Sequence, residues 1–238
     1  MHCNYHNMSK ILVTGGTGLV GSHLLYFLTK SGLSPIAIKR KTSNIENVKK
    51  IFSYYTENYD QLFKKIIWKE CDILDVVYLE DIIKNVTHVY HAAALISFNN
   101  NDKDKMVEIN SVGTANIIDL SLKYNIQRFC FVSSIATLGS NNQVAVDENC
   151  LWNWDNQSGY AISKHLAEME VWRGFAEGLS GFIVNGRSSV DWIVNFRLGK
   201  SILLISREAV PLFFICKGKI GGVLVPRGIE LKSMRAKD

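Results

Sequence analysis

From about residue 10 to residue 186 the chain alternates short apolar runs with longer stretches in which apolar residues recur at helical spacing. A run such as Ile11-Leu12-Val13 fits a strand covered on both faces, because a strand with one wet face would alternate apolar and polar side chains. The pattern predicts strands over 10–14, 35–39, 66–70, 87–91, 128–133 and 181–185. Helices are predicted at 18–31, within 43–64, and at 75–84, 105–124 and 158–178. Repeated strand–helix units of this kind build a parallel sheet with helices on both sides, so the expected fold is α/β, a doubly wound Rossmann-like sheet. Beyond about residue 186 the regularity fails: Gly186-Arg187-Ser188-Ser189 leads into apolar scraps separated by Arg197, Lys200, Arg207, Lys217 and Lys219. The expected organisation is one α/β domain over 9–186 and an atypical, unassigned segment over 187–238.

Composition narrows the classes. With 238 residues and 47% hydrophobic content, the chain can bury one full core. The net charge of +5 comes from basic residues spread along the chain, with a weak cluster at Lys39-Arg40-Lys41, and does not point to nucleic acid. Cys3, Cys71, Cys130, Cys150 and Cys216 are odd in number and contain no CxxC pair, so neither a disulfide framework nor a zinc site is expected, and a reducing cytoplasm fits. The residues before Ile11 are polar, without the apolar core of a signal peptide, and the apolar run Ala209–Cys216 is short and flanked by charge. No membrane or metal partner is expected, and Met1–Asn7 lie outside the first strand.

The strongest local signal follows the first strand: Thr14-Gly15-Gly16-Thr17-Gly18-Leu19-Val20-Gly21 opens an apolar helix whose Leu24, Leu25 and Leu28 face the sheet. One glycine allows a tight turn, another lets the backbone approach a pyrophosphate, and Gly21 permits close packing of helix on strand. The helix N-terminus adds donors and partial positive charge, so a dinucleotide is the expected cofactor. The second strand ends in Ile38-Lys39-Arg40-Lys41, with no acid to bond a ribose 2′-hydroxyl. Arg40 therefore suits a 2′-phosphate, favouring NADP over NAD, although a solvated basic loop explains the same residues. Asp72, followed by Ile73 at the end of the third strand, either accepts from an adenine amino group or, like Asp75, caps the next helix. Ala92, Ala93 and Ala94 end the fourth strand with side chains small enough for close cofactor approach, and His91 reads as structural.

Tyr160 and Lys164 in Tyr160-Ala161-Ile162-Ser163-Lys164 fall on one helix face, where an ammonium can lower a phenol pKa from about 10. Tyr160 is then a usable general acid or base, whereas alone it reads as an ordinary helix-face aromatic. Trp152, Asn153, Trp154 and Asp155 just before it could line a pocket, although Trp152 and Trp154 read more readily as packing residues.

Taken with Asn110-Ser111-Val112-Gly113-Thr114-Ala115-Asn116 and Val132-Ser133-Ser134, these motifs resemble the extended short-chain dehydrogenase/reductase family, in particular its NAD(P)-dependent epimerase/dehydratase and dihydroflavonol-reductase-like members. The resemblance spans residues 9 to about 185. It implies an NAD(P)-binding domain, Tyr160 as catalytic acid/base, Lys164 lowering its pKa and binding the nicotinamide ribose, and Ser134 bonding the substrate carbonyl or hydroxyl. Ser134 is preferred over Ser133 from its spacing to Gly139. It also implies Asn110 as the asparagine that distorts its helix and helps hold a proton-relay water, where the bare residue could equally be an N-cap. The substrate class implied is a small carbonyl, hydroxyl or nucleotide-sugar compound, and a homodimer through 105–124 and 158–178 is possible. Family members usually continue well beyond the Tyr-Lys helix and carry a proline turn after the sixth strand, where this chain reads Ile183-Val184-Asn185-Gly186-Arg187. That departure suggests an incomplete substrate lobe, from truncation or a disrupted frame, and an alternative function as a dinucleotide-binding module without turnover.

Overall fold

The strands and helices of the chain alternate as the apolar pattern requires. In the computed structural model, residues 10–138 and 152–186 are described, together with the backbone of three short strands further on. The polar leader Met1–Asn7, Gly139 and most of the segment from residue 187 lie outside the described residues. The elements are β1 (Ile11–Thr14), α1 (Leu19–Lys30), β2 (Ile36–Lys39), α2 (Glu46–Ser53), α3 (Tyr59–Phe63), β3 (Ile67–Glu70), α4 (Val76–Ile83) and β4 (His88–His91). There follow α5 (Lys103–Val107), α6 (Gly113–Lys123), β5 (Arg128–Ser134), α7 (Gly159–Ala176) and β6 (Gly181–Gly186), then β7 (Val194–Arg197), β8 (Ser201–Leu204) and β9 (Ile215–Lys217).

The main sheet runs β3-β2-β1-β4-β5-β6-β9, with the first six strands parallel and β9 antiparallel to β6. β7 and β8 form a separate antiparallel pair. Each strand feeds both faces, as its two-residue period demands. Ile11 and Val13 point into a core with Leu24, Leu25 and Leu28 of α1 and Val48 and Phe52 of α2, while Leu12 between them joins Leu79, Ile83, Ile117, Ile118, Ala167 and Val171 on the other side. β5 divides the same way, Cys130 to the first core and Phe129 and Phe131 to the second. Burying each such aliphatic or aromatic side chain contributes roughly 1.5–3 kcal/mol before chain entropy is charged against it.

Helix falls within 43–64 as expected, as α2 and α3, and Tyr55 between them stacks on Tyr26, with ring centroids 4.2 Å apart and planes 15° from parallel. One predicted helix is broken. The stretch 105–124 becomes α5, a π-helical turn over Glu108–Val112, and α6. Such a wide turn inserts one residue into the hydrogen-bond ladder and turns side chains away from their expected face. The side chain so displaced is Asn110, which is buried. Among the described residues, no helix is long and apolar enough to cross a membrane and no group of three acidic, histidine or cysteine side chains is placed to hold a metal ion.

Phe129 is fully buried at the centre of the second core. Phe129→Ala is expected to lower stability by about 3–5 kcal/mol, read as a reduced urea midpoint at unchanged slope.

Candidate functional site

The chain builds β1, β2 and β3 outward, then returns to lay β4 on the other side of β1. The connections that follow β1 and β4 therefore depart in opposite directions, leaving a crevice at the carboxyl ends of these two strands. Thr14 and His91 are register partners at that edge.

The crevice is a cleft of about 300 Å³ lined by Gly15, Thr17, Gly18, Arg40, Asp72, Ile73, Ala92, Ala93 and Ala94 from the expected set, and also by Ile38, Lys39, Ser43, Cys71, Leu95 and Ile109. Gly15 has φ +67°, and a Cβ there would lie 2.5 Å from the Ala92 carbonyl oxygen. A Cβ on Gly21 would lie 2.1 Å from the Gly15 carbonyl oxygen. The turn closes through Gly18 N–H donating to the Gly15 carbonyl at 2.9 Å. Leu19 and Val20 are the first two residues of α1, whose opening N–H groups have no partner within the helix, and no acidic residue stands in that first turn. A backbone held this close and an uncompensated helix N-terminus fit a pyrophosphate, and hence a dinucleotide, in the cleft.

The far wall is polar. Arg40 and Ser43 close a turn, Arg40 N–H donating to Ser43 Oγ at 3.1 Å and Ser43 N–H to the Arg40 carbonyl at 3.0 Å. Lys39 pairs with Glu70 across the neighbouring strand at 3.4 Å. Asp75 caps α4, accepting from Tyr78 N–H at 3.2 Å, whereas Asp72 accepts from Leu74 N–H at 3.0 Å and stays on the cleft wall. Burial pushes the Cys71 thiol up to about 11, so it is no ready nucleophile at neutral pH.

Ser134, Tyr160 and Lys164 do not line this cleft but lie where β5 packs against α7, Ser134 bonded to Tyr160 and Lys164 to the backbone of the same strand. Ser133 and Ser134 point to opposite sides of β5, as neighbours in a strand must. Ser133 is buried and donates to Glu168 Oε2 at 2.7 Å, while half-buried Ser134 accepts from Ala136 N–H at 3.2 Å and hydrogen-bonds with Tyr160. Lys164 is 2% exposed; its Nζ donates to the Val132 carbonyl at 2.9 Å and lies 4.1 Å from the centroid of the Phe131 ring. Burial lowers its pKa to about 7, with Glu168 acting in the opposite direction. The phenol of Tyr160 is raised above its ordinary value, burial outweighing the hydrogen bond to Ser134. The lowered phenol expected from the Tyr–Lys spacing is thus reversed, because the same desolvation that weakens the lysine cation also penalises a phenolate.

A second polar network fixes Asn110 and His91. Asn110 Oδ1 accepts from Leu95 N–H at 2.6 Å, and its Nδ2 donates to the Leu95 carbonyl and to Ser163 Oγ, each at 2.9 Å. Ser163 Oγ donates to the Tyr160 carbonyl at 2.8 Å, so Asn110 braces the turn that carries Tyr160 and is not an N-cap. Thr14 Oγ1 accepts from Ala93 N–H, which leaves its proton for His91 Nδ1 at 2.6 Å. His91 Nε2–H then donates to Thr114 Oγ1 at 2.8 Å, and Thr114 passes its proton toward the Asn110 carbonyl. That fixes a neutral tautomer, in keeping with a pKa lowered to about 3 by complete burial and then by Lys164. Trp152 stacks on His165 at 4.0 Å, a packing role.

Sequence reasoning missed Glu168, Thr137 and Asn185. Thr137 Oγ1 and Asn185 Nδ2 also reach Glu168 Oε2, at 2.7 and 3.2 Å. Glu168 follows Lys164 by one helical turn, a spacing that could have drawn attention to it.

A model of the NAD-dependent epimerase/dehydratase family matches residues 11–189. A Methanocaldococcus jannaschii protein provisionally named UDP-glucose 4-epimerase is 33% identical over 162 residues, covering 66% of this chain and 48% of that protein. A Synechocystis sp. protein provisionally named dihydroflavonol 4-reductase is 27% identical over 205 residues, covering 84% of this chain and 56% of its own. The chain thus spans about half the length of the curated relatives it matches. Yeast methylglyoxal/isovaleraldehyde reductase Gre2, solved with NADPH, superposes with a TM-score of 0.60 at 20% identity, over 74% of this chain and 57% of that one, and shares its fold.

Lys164 carries a proton in the unfolded chain up to about its ordinary value of 10.5, but in the folded chain only to about 7. Between those values the unfolded state binds more protons, so this lysine's contribution to stability rises with pH. Lys164→Met is expected to flatten that rise, so that the parent gains about 2 kcal/mol more than the variant between pH 7.5 and 9.5 in urea titrations. Parallel curves would overturn the assignment.

Proposed function

The chain belongs to the NAD-dependent epimerase/dehydratase family, and on that premise we propose that it is an NAD(P)-dependent oxidoreductase or epimerase/dehydratase in which Ser134, Tyr160 and Lys164 act on a small carbonyl, hydroxyl or nucleotide-sugar substrate. The observation that carries this reading is the hydrogen bond of Ser134, at the end of the strand beside the switch-point cleft, with Tyr160 of α7, the helix whose buried Lys164 donates to the same strand at Val132. The dinucleotide, when bound, supplies hydride transfer. Gly15, Thr17, Gly18 and the α1 N-terminus with Leu19 and Val20 would hold its pyrophosphate, with Gly21 keeping that helix close. Asp72 and Ile73 would meet the adenine, and Ala92, Ala93 and Ala94 would admit the cofactor against the backbone.

In this mechanism Ser134 orients the substrate oxygen and Tyr160 moves the proton to or from it. Lys164 holds its ammonium against the end of β5 at the Val132 carbonyl, and Asn110 braces the Tyr160 turn through Ser163. Ser133 is unsuited to the substrate role because its hydroxyl is committed to Glu168. Arg40, at the cleft wall opposite no acid on β2, supports NADP as the preferred cofactor over NAD.

A second reading, a dinucleotide-binding module without turnover, is favoured by one observation: after the sixth strand the chain reads Ile183-Val184-Asn185-Gly186-Arg187, without a proline turn. Val112, Met169 and Trp172, exposed on or beside α6 and α7, support a homodimer through those helices.

Fluorescence titration is expected to show binding of both dinucleotides with NADPH the tighter. Arg40→Ala is expected to weaken NADPH about tenfold, the loss of one charge-assisted contact, and to leave NADH nearly unchanged. Tyr160→Phe should retain binding and lower turnover at least ~100-fold. Binding without turnover in any family substrate class favours the second reading, and failure to bind either dinucleotide overturns both. Sedimentation velocity tests the dimer, a monomer at all concentrations excluding it.

A further inference from the structure

Glu168 lies deeper than any catalytic candidate needs a carboxylate to lie. It is 4% exposed, one helical turn beyond Lys164 and two beyond Tyr160 on α7. Three donors from three different elements converge on its Oε2: Ser133 from β5 and Thr137 from the 3₁₀ turn after β5 at 2.7 Å, and Asn185 from β6 at 3.2 Å. A carboxylate is acceptor-only and suits such a convergence, whereas a hydrophobic side chain would leave buried donors unpaired. Asn185, with two amide protons, also holds the backbone of Ser134, its Nδ2 donating to that carbonyl at 3.1 Å, and the one Thr137 hydroxyl proton is shared between Glu168 and the same carbonyl, 2.8 Å away.

We propose that Glu168 is a positioning residue for the Ser134–Tyr160–Lys164 site, its carboxylate tying the Ser134 turn to α7 while supplying the counter-charge to the Lys164 ammonium. The proposal rests on the reading of those three residues as the working site. Its geometry has two parts. The carboxylate fixes the height of β5's end against α7, and so the separation of Ser134 from Tyr160. It also places negative charge one turn from a cation that its other neighbours do not neutralise. The titratable groups coupled to Lys164 are Glu168 on α7 and His91 on β4, which is neutral; β5 contributes the uncharged Phe131 ring and the Val132 carbonyl. Without Glu168 the lysine would surrender its proton more readily, and Ser134 would lose the anchor beneath its turn.

The test follows Lys164 directly, in full-length protein carrying 13C-labelled lysine, with Lys164→Met assigning its signal by NMR. Glu168→Gln keeps the size and removes the charge. It is expected to lower the Lys164 titration midpoint by about one pH unit, the size of a nearby opposite charge, while Glu168→Asp restores most of that shift. A midpoint unchanged in Glu168→Gln overturns the proposal, as does a Glu168→Asp midpoint displaced as far as that of the amide variant. If Glu168→Gln does not fold, Glu168→Asp decides: a midpoint within about half a unit of the parent upholds the proposal, and a larger displacement or loss of folding overturns it in favour of a purely structural carboxylate. NADPH and NADH titrations of the parent run alongside separate the two claims, because failure to bind overturns the cofactor reading while leaving the lysine titration legible.

Discussion

The parallel pairing of β1 with β4 is the contact on which the rest of the molecule depends. It places strands distant in sequence side by side, and with them the two strand ends whose connections diverge. The glycine turn can then sit against Ala92 with no Cβ between them, and the Thr14–His91 hydrogen bond closes the joint. A slip of one residue in that register would turn every side chain of β1 to the wrong core and remove the crevice together with the fold.

Burial behind that joint is mostly apolar, but what sets the position of the chemical groups is a pair of polar networks. One runs from Ala93 through Thr14, His91 and Thr114 to Asn110, the other from Ser133, Thr137 and Asn185 to Glu168. Each donor in them is matched to an acceptor across different elements, and the cost of leaving one unmatched in a dry interior is about 1–3 kcal/mol. Networks of this kind specify one arrangement more sharply than apolar packing, which tolerates sliding. Asn110 shows the effect on the backbone itself, since the side chain's commitment to Leu95 and Ser163 coincides with a π-helical turn in an otherwise regular helix.

Much of the fold was legible because strands buried on both faces announce themselves as continuous apolar runs: the strand expected at 128–133 is Arg128–Ser134, and that at 181–185 is Gly181–Gly186. The cleft was legible through Gly15, Gly18 and Gly21, whose spacing answers to backbone contacts. The break at Asn110 was not visible in periodicity, because it arises from contacts with residues far along the chain. Glu168 was legible only through its spacing from Lys164: a glutamate in a helix reads as a solvated face, and nothing local announces that Ser133, Thr137 and Asn185 will converge on it. The choice between Asp72 and Asp75 as cap is settled only by which carboxylate meets a helix N–H.

Burial at the end of β5 acts on both partners of the tyrosine–lysine pair, and it acts against charge on each. Lys164 falls to about 7 while Tyr160 rises, so at neutral pH the phenol keeps its proton and the ammonium is only partly held. For the chemistry proposed, Tyr160 is thereby poised as an acid toward a substrate oxygen that gains negative charge. Acting as a base instead requires positive charge to be kept beneath it, and in the described residues the group that keeps Lys164 protonated is Glu168. On the proposed reading, Glu168 therefore bears on the direction in which the proton moves by opposing the effect of burial on Lys164. The same carboxylate accepts from Ser133 and Asn185, so one buried group bears on both charge and geometry at this site.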